Sequence, residues 1–213
     1  MRSTNETPDW RTLGGFPSAL LGAIAGIAWA ASLRGWMVEL VGTGSSFAWI
    51  PTFAQILLPG AVIGLLLGVA DYFRRTGGRR GWRWLAIAPI AFSIAPLLSP
   101  GALETLVTTG LGGGAVAVTL IGLLGGVAVS GRGPLWLRLV LGLLATALIA
   151  GGIVATFDLE AFGAIDASDV TPRSVWAATL FASLMVVWVF ACALPHRRVV
   201  VRSPYRRSGD LEH

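Results

Sequence analysis

Six long runs of apolar residues alternate with short polar stretches along the chain, at residues 16–33, 54–73, 82–99, 104–130, 134–156 and 174–194. An α-helix needs about 20 predominantly apolar residues to cross the hydrocarbon core of a bilayer, and each run is near or above that length. The pattern therefore predicts an all-α integral membrane protein. Its six-transmembrane-helix bundle is expected to occupy residues 16–195.

Prolines and one threonine refine the predicted helices. Pro59 falls in the first turns of the second helix, where the missing amide donor costs little. Thr171 and Pro172 predict the cap and first turn of the sixth helix. Pro89 and Pro96 interrupt the third run, so we expect a kinked helix there.

The polar segments predict the rest of the organisation. Residues 1–15 are expected to form a cytoplasmic N-terminal arm, residues 196–210 a basic cytoplasmic tail, and residues 211–213 the remnant of an expression tag. Residues 34–53 are less apolar and predict an extracellular loop or a short interfacial helix. A cleaved signal peptide is an alternative for the first run, because residues 28–30 (Ala-Trp-Ala) have the small-x-small cleavage form. We favour a retained span.

The arginines predict the orientation of the bundle. All sixteen basic residues are arginine, and fourteen of them fall in segments that a six-span topology places on one side. Only Arg34 and Arg173 fall on the other side. Since arginine-rich loops stay in the cytoplasm, both the N and C termini are expected to be cytoplasmic. The exclusive use of arginine favours a GC-rich genome, so we expect a multi-pass protein of a bacterial inner (plasma) membrane.

Composition narrows the class of protein further. Hydrophobic residues make up 54% of the chain and charged residues 13%, whereas soluble domains carry about 25% charged residues. The mean hydropathy of +0.73 points the same way. The net charge of +5 resides in short loops between apolar runs, which is typical of topology signals. We therefore expect membrane lipids as partners and no nucleic acid.

Glycines recur at helical spacing in two of the predicted spans. Gly60, Gly64 and Gly68 repeat every fourth residue, and Gly122 and Gly126 do the same in the fourth span. Small residues at this spacing let the backbones of membrane helices approach closely. These five glycines are therefore predicted to be helix-packing residues.

Residue types needed for common catalytic and metal centres are scarce. His196 is the only histidine before the predicted tag, and Cys192 is the only cysteine. Neither a zinc site nor a disulfide within the chain is expected. The acidic residues between the fifth and sixth runs lack the spacing of a calcium loop, and no nucleotide-binding or nucleophile motif occurs. We expect no enzyme activity, no cofactor and no metal.

Two polar features lie near or within the predicted spans. Asp71 precedes Arg74 and Arg75 by three and four residues, which predicts a local ion pair. Counted as a helix from Glu104, the fourth run places Thr108, Thr119 and its glycines on one small or polar face. This face either packs against other helices or lines a polar cavity that opens outward, with the costly carboxylate of Glu104 at its mouth.

Two classes of function fit these features. The first is a small transport or substrate-binding membrane protein with an outward-facing polar cavity, for which Arg34, Glu39 and Gln55 are further candidate ligand-facing residues. The second is a non-catalytic membrane subunit or assembly factor that docks another membrane protein, or a second copy of itself, through its glycine faces.

The predicted layout also resembles a known family in architecture alone. Six predicted spans in 213 residues, with a long outer loop after the first, resemble the substrate-binding subunits of energy-coupling-factor vitamin transporters. The small-residue motif of that family's first helix is represented here only by Ala19 and Ala23. The resemblance implies a small-molecule ligand and leaves its identity open.

Overall fold

A computed structural model describes residues 13–41, 49–98, 113–157 and 170–199, and in these ranges the chain is helical with no β-strand. The α-helices are α1 (Gly15–Val41), α2 (Leu58–Arg75), α3 (Ile90–Leu97), α4 (Gly113–Val129), α5 (Leu135–Val154) and α6 (Pro172–Cys192). A π-helical segment (Trp49–Leu57) leads into α2, and short 3₁₀ helices lie at Trp82–Ile87 and Leu194–His196.

Within these described ranges, four helical stretches are long and apolar enough to cross a membrane: Gly15–Leu40, Trp49–Arg75, Leu135–Val154 and Pro172–His196. The described part of the chain is therefore all-helical, with four candidate membrane-spanning helices. The helix Gly113–Val129 is apolar but shorter. It covers only the later part of the predicted fourth span, because residues 99–112 lie outside the described ranges.

The first helix is longer than its apolar run suggested. The prediction that residues 34–53 form a loop or a separate interfacial helix is wrong for both described parts of that segment. Residues 34–41 continue α1, and residues 49–53 belong to the π-helical segment. Residues 34–41 contain no proline and only one glycine, so nothing local ends the helix. Packing of Trp36 against Phe181 then stabilises the added turns.

The predicted third span is not one kinked α-helix. The 3₁₀ helix Trp82–Ile87 stops at Ala88, and the eight-residue α3 begins after Pro89. Pro89 has no amide hydrogen and its ring would clash with the carbonyl of Leu85 in an α-helix, so the α-helical hydrogen-bonding pattern is interrupted at this point. At about 1.5 Å per residue, α3 alone is too short to cross a membrane.

The start of α6 has the predicted cap. The Thr171 side chain accepts a hydrogen bond from the backbone amide of Ser174 at 3.1 Å, and the Ser174 hydroxyl accepts one from the amide of Thr171 at 2.9 Å. Pro172 occupies the first turn. This reciprocal pair is a capping box, which satisfies two amides that the helix itself cannot.

Helices α1 and α2 approach each other through glycines on both sides. A Cβ atom added at Gly64 would lie 2.8 Å from the Cα of Gly26, and one added at Gly68 would lie 3.2 Å from the Cα of Gly22. The carbonyl oxygen of Gly60 in turn faces Gly26. At such separations backbone meets backbone, and no side chain fits between the two helices.

Two tryptophans connect α1 with α3, α4 and α6 in one core. Trp29 stacks on Trp188 with ring centroids 4.3 Å apart, and its edge meets Phe92 at 5.7 Å. The indole Nε1 of Trp29 donates to the carbonyl of Leu184, and that of Trp188 donates to the carbonyl of Val118, both at 2.9 Å. The core thus connects α1, α3, α4 and α6, with the polar ends of both rings satisfied.

The turns of the bundle separate into two ends. At one end, which we call the Asp71 end, the loop after α2, the loop before α5 and the residues after α6 come together. Gly78 there lies next to Val199, and an Arg132 guanidinium donates to the carbonyl of Arg197 at 3.4 Å. At the opposite end, which we call the Glu39 end, α1 finishes and α6 begins.

Candidate binding site around Trp36 and Thr52

An interhelical ion pair marks the Glu39 end of the bundle. Nε of Arg173, in the first turn of α6, donates to Oε2 of Glu39, in the last turn of α1, at 2.8 Å. The arginine side chain is 66% exposed and the glutamate 34%. In water such a pair contributes little to stability. It places one negative and one positive charge beside the end of α1, and we call this pair of residues the polar rim.

Two buried polar side chains on elements of the Glu39 end have no hydrogen-bond partner within the described part of the chain. They are the indole Nε1 of Trp36 and the hydroxyl of Thr52. Trp36 is 9% exposed and Thr52 is 4% exposed. Leaving a buried donor or acceptor unpaired costs about 1–3 kcal/mol, so folded proteins rarely tolerate it. These two groups lie on α1 and on the π-helical segment that packs against it, and each lacks a hydrogen-bond partner that a further polar group could supply.

The orientation of Trp36 is fixed by its neighbour. Its ring stacks on Phe181 of α6, with centroids 4.5 Å apart and an angle of 28° between the planes. The two core tryptophans, Trp29 and Trp188, both direct Nε1 at a backbone carbonyl. Trp36 differs from them because its N–H is buried and held in place without an acceptor in the described ranges.

Thr52 lies in the π-helical segment, and α1 packs against this segment. Pro59 in the first turn of α2 cannot donate the hydrogen bond that an α-helix would direct at the carbonyl of Gln55. A wider helical turn before Pro59 avoids the clash between its ring and that carbonyl. π-Helical turns are rare and occur frequently at functional sites, so this local irregularity supports Thr52 and its surroundings as a site.

Three of the predicted ligand-facing residues lie at the Glu39 end. Glu39 pairs with Arg173, and Arg34 and Gln55 are both half-buried. Glu104 and Thr108 lie outside the described residues. Sequence reasoning missed Trp36 and Thr52 as site residues, because tryptophans near a span's end are ordinarily interfacial anchors. No pattern in the sequence distinguishes them.

Thr119 belongs to a packed interface instead of this site. Its hydroxyl accepts a hydrogen bond from the hydroxyl of Ser93 at 2.6 Å and donates one to the carbonyl of Pro89 at 3.2 Å. Gly122 and Gly126 on the same face of α4 meet the side chains or backbone of α6. The described part of the small or polar face is therefore filled by protein atoms.

The predicted ion pair near the end of α2 is confirmed. Asp71 binds Arg74 at 2.7 Å and Arg75 at 2.8 Å. A guanidinium nitrogen of Arg75 also donates to the Ser18 hydroxyl at 2.8 Å. The pair therefore extends into a network that joins α2 to α1 at the Asp71 end, far along the helices from Trp36 and Thr52.

The chemistry of the Trp36 site is that of recognition. It offers one indole N–H, one hydroxyl that can donate or accept, a fixed aromatic pair and an ion pair at its rim. Within the ranges 13–41, 49–98, 113–157 and 170–199, no group of three or more histidine, cysteine or acidic residues could hold a metal ion. These groups can form hydrogen bonds with a polar molecule.

Comparisons with protein-family models, with curated protein sequences and with solved structures found no match for this chain.

Proposed function

We propose that the chain is a small substrate-binding or transport protein of a bacterial inner membrane, whose ligand binds at the Trp36 site. The observation that carries this proposal is the pair of buried polar atoms without partners, Trp36 Nε1 and Thr52 Oγ1. A ligand with an acceptor oxygen for the indole and a polar group for the hydroxyl would recover the cost of leaving both unpaired. Its flat or apolar body would lie near the stacked rings.

The proposal includes six spans, both termini in the cytoplasm and an outward-opening site. Nine of the eleven arginines in the described ranges belong to the Asp71 end of the bundle, and the other two, Arg34 and Arg173, to the Glu39 end. This asymmetry favours a cytoplasmic Asp71 end and an outer Glu39 end. The two shorter helical regions, 82–97 and 113–129, would complete six spans. The outward-facing cavity around Glu104 and Thr108 stays a prediction.

The experiment removes each unpaired polar atom while keeping the shape of its side chain. Trp36→Phe keeps an aromatic ring beside Phe181, and Thr52→Val is close in volume to threonine. Each variant would be purified, its thermal stability measured, and its co-purified small molecules identified by mass spectrometry of an organic extract. Thr119→Val is the matched control, because it makes the same chemical change at a hydroxyl that is already bonded within the protein.

The two threonine variants are expected to differ in stability. Thr52→Val removes a buried group that has no partner, so the ligand-free protein should be as stable as the parent or more stable. Thr119→Val should lose roughly 1 kcal/mol. The Thr52 and Trp36 variants should retain less of the co-purified molecule, whereas Thr119→Val should retain it. Equal destabilisation by the two threonine variants, with no molecule lost, would contradict the proposal.

A second candidate function rests on the exposed side of α5. Only 6% of its apolar window is buried within the chain, against 50% for α6. Ala147, Ala150 and Gly151 are exposed on it, and a Cβ atom at Gly151 would meet nothing within 4 Å. Small residues at four-residue spacing suit close docking of another membrane helix. This favours a subunit or assembly factor, or a homo-oligomer, that associates through α5.

Cross-linking tests this second candidate. In a variant that lacks the native cysteine, Ala147→Cys should give a disulfide-linked dimer in membranes if two copies meet at α5. Leu139→Cys, on an exposed larger residue of the same helix, is the control. Absence of any cross-link to a second copy or to a co-purified protein at residue 147 would count against docking through this face.

A further inference from the structure

The loop between α2 and the next helical turn is shaped by glycines and fixed by one tryptophan. Gly77, Gly78 and Gly81 all have positive φ angles, at 99°, 79° and 82°. These values are readily accessible only to glycine. Trp82 is 8% exposed, and its indole nitrogen would lie 3.3 Å from a Cβ atom at Gly78. The arginines of this loop are therefore presented from a folded turn.

A cavity of about 490 Å³ opens beside this turn. It is lined by Arg79, Gly81, Trp82, Arg83, Trp84 and Ile87. Arg79 and Arg83 thus line a largely apolar concave surface together with two tryptophans. Arg80 belongs to the same loop and is also exposed, but it does not line the cavity.

The charge of this region is not neutralised by carboxylates in the described ranges. The acidic residues there are Glu39 and Asp71, and their ion pairs are with Arg173, Arg74 and Arg75. Neither carboxylate pairs with an arginine of the cavity. The positive charge of the cavity therefore favours an anion.

Further cations lie close to the cavity. The 3₁₀ helix Leu194–His196 packs against the 3₁₀ helix Trp82–Ile87. Both Arg83 and Arg132 lie within electrostatic range of His196. Cations gathered in this way repel one another, and a bound anion would relieve that repulsion. Arginine binds phosphate particularly well, because its planar guanidinium can form two parallel hydrogen bonds.

The apolar part of the cavity indicates where that anion comes from. Trp84 is 74% exposed and Ile87 is 52% exposed, on the turn that carries the arginines. Exposed tryptophans of membrane proteins lie preferentially at the headgroup level of the bilayer. Basic pockets at this level bind the headgroups of anionic lipids. A soluble anion would gain nothing from Trp84 or Ile87.

We propose that this cavity binds a phosphate-bearing anion, with Arg79 and Arg83 holding the phosphate and Trp84 and Ile87 contacting the glycerol and acyl region of an anionic membrane lipid. The site lies at the Asp71 end and is independent of the ligand proposed for Trp36 and Thr52. Its role would be to hold one lipid at a fixed place on the loop after α2.

The test uses the full chain purified in detergent and reconstituted into nanodiscs that contain phosphatidylglycerol and phosphatidylcholine. Native mass spectrometry measures which lipid stays bound to the released protein. The variants are Arg79→Gln, Arg83→Gln and, as the matched control from the same loop, Arg80→Gln. A second arm adds inorganic phosphate and asks whether it displaces the lipid. Circular dichroism verifies that each variant is folded.

Retention of phosphatidylglycerol should fall about fivefold for Arg79→Gln and for Arg83→Gln, the loss expected for one arginine near an anionic surface. Arg80→Gln should change it less than about twofold if binding is local to the cavity. Displacement by inorganic phosphate would identify a free phosphate as the occupant, and resistance to it would identify the lipid. Equal losses for all three variants, or no loss for any, would overturn the proposal.

Discussion

Adding a single methyl group at Gly64 should separate α1 from α2. In Gly64→Ala the new Cβ atom would lie 2.8 Å from the Cα of Gly26 and still closer to the carbonyl oxygen of Gly22. Carbon atoms in ordinary contact are about 3.5–4.0 Å apart, so the two backbones must move apart by about 1 Å. Backbone atoms cannot rotate away as a side chain can, so the whole helix contact absorbs the displacement.

The cost can be bounded from the geometry. A radial gap of about 0.5–1 Å forfeits a quarter to a half of the dispersion attraction across an interface, and overpacked sites typically lose about 1–3 kcal/mol. Alanine favours the helix over glycine by about 1 kcal/mol, which opposes the loss. We expect a net destabilisation of up to about 2 kcal/mol relative to the parent, and of about 1–3 kcal/mol relative to a glycine-to-alanine change without the clash, with a Tm in detergent lower than the parent's by up to roughly 8 °C.

Gly35→Ala provides the matched control on α1. A Cβ atom at Gly35 would meet nothing within 4 Å, so only the helix-propensity term remains, and the variant should be neutral or more stable by up to about 1 kcal/mol. Thermal unfolding followed by tryptophan fluorescence compares the two variants in one detergent. A Gly64→Ala protein as stable as the Gly35→Ala protein would refute the close contact between α1 and α2.

Three other predictions concern orientation, charge and the core. In a cysteine-free background, a cysteine at Gly77 should be shielded from an impermeant thiol reagent in intact cells, while one at Val170 should be labelled; the opposite pattern would reverse the proposed orientation. Asp71→Asn leaves two partly buried guanidinium groups without their carboxylate and should lower the free energy of unfolding by roughly 1–3 kcal/mol. Trp188→Phe removes an N–H that is bonded to a carbonyl and should cost more stability than Trp36→Phe, whose N–H has no partner; equal losses would contradict this assignment.

The sequence by itself determined the class of the protein and several local features. A water-soluble fold with so few charged residues could not cover apolar runs of this length, so helices of membrane-spanning length were predictable. The cap at Thr171 and the ion pair of Asp71 with Arg74 and Arg75 were predictable as well. Both depend on residues three or four positions apart, whose proximity is fixed by the pitch of the helix.

The break at Pro89 shows the limit of such local reasoning. Proline predicts that a helix is disturbed, and two prolines within one apolar run predict a kink within one continuous span. The structure has a 3₁₀ turn followed by the short helix α3. The proline identifies the position of the irregularity. The packing of Phe92 against Trp29 in the core helps to fix the position of α3.

Only the tertiary structure decided which polar groups find partners. Glu39 pairs with Arg173, 134 residues away in the chain, and Thr119 is bonded through Ser93 of another helix. Trp36 and Trp188 are the same residue type in similarly apolar surroundings, yet only Trp188 reaches a carbonyl acceptor. Helix periodicity fixes the face on which a residue lies, but the acceptor opposite it belongs to another helix whose position depends on packing of the whole bundle.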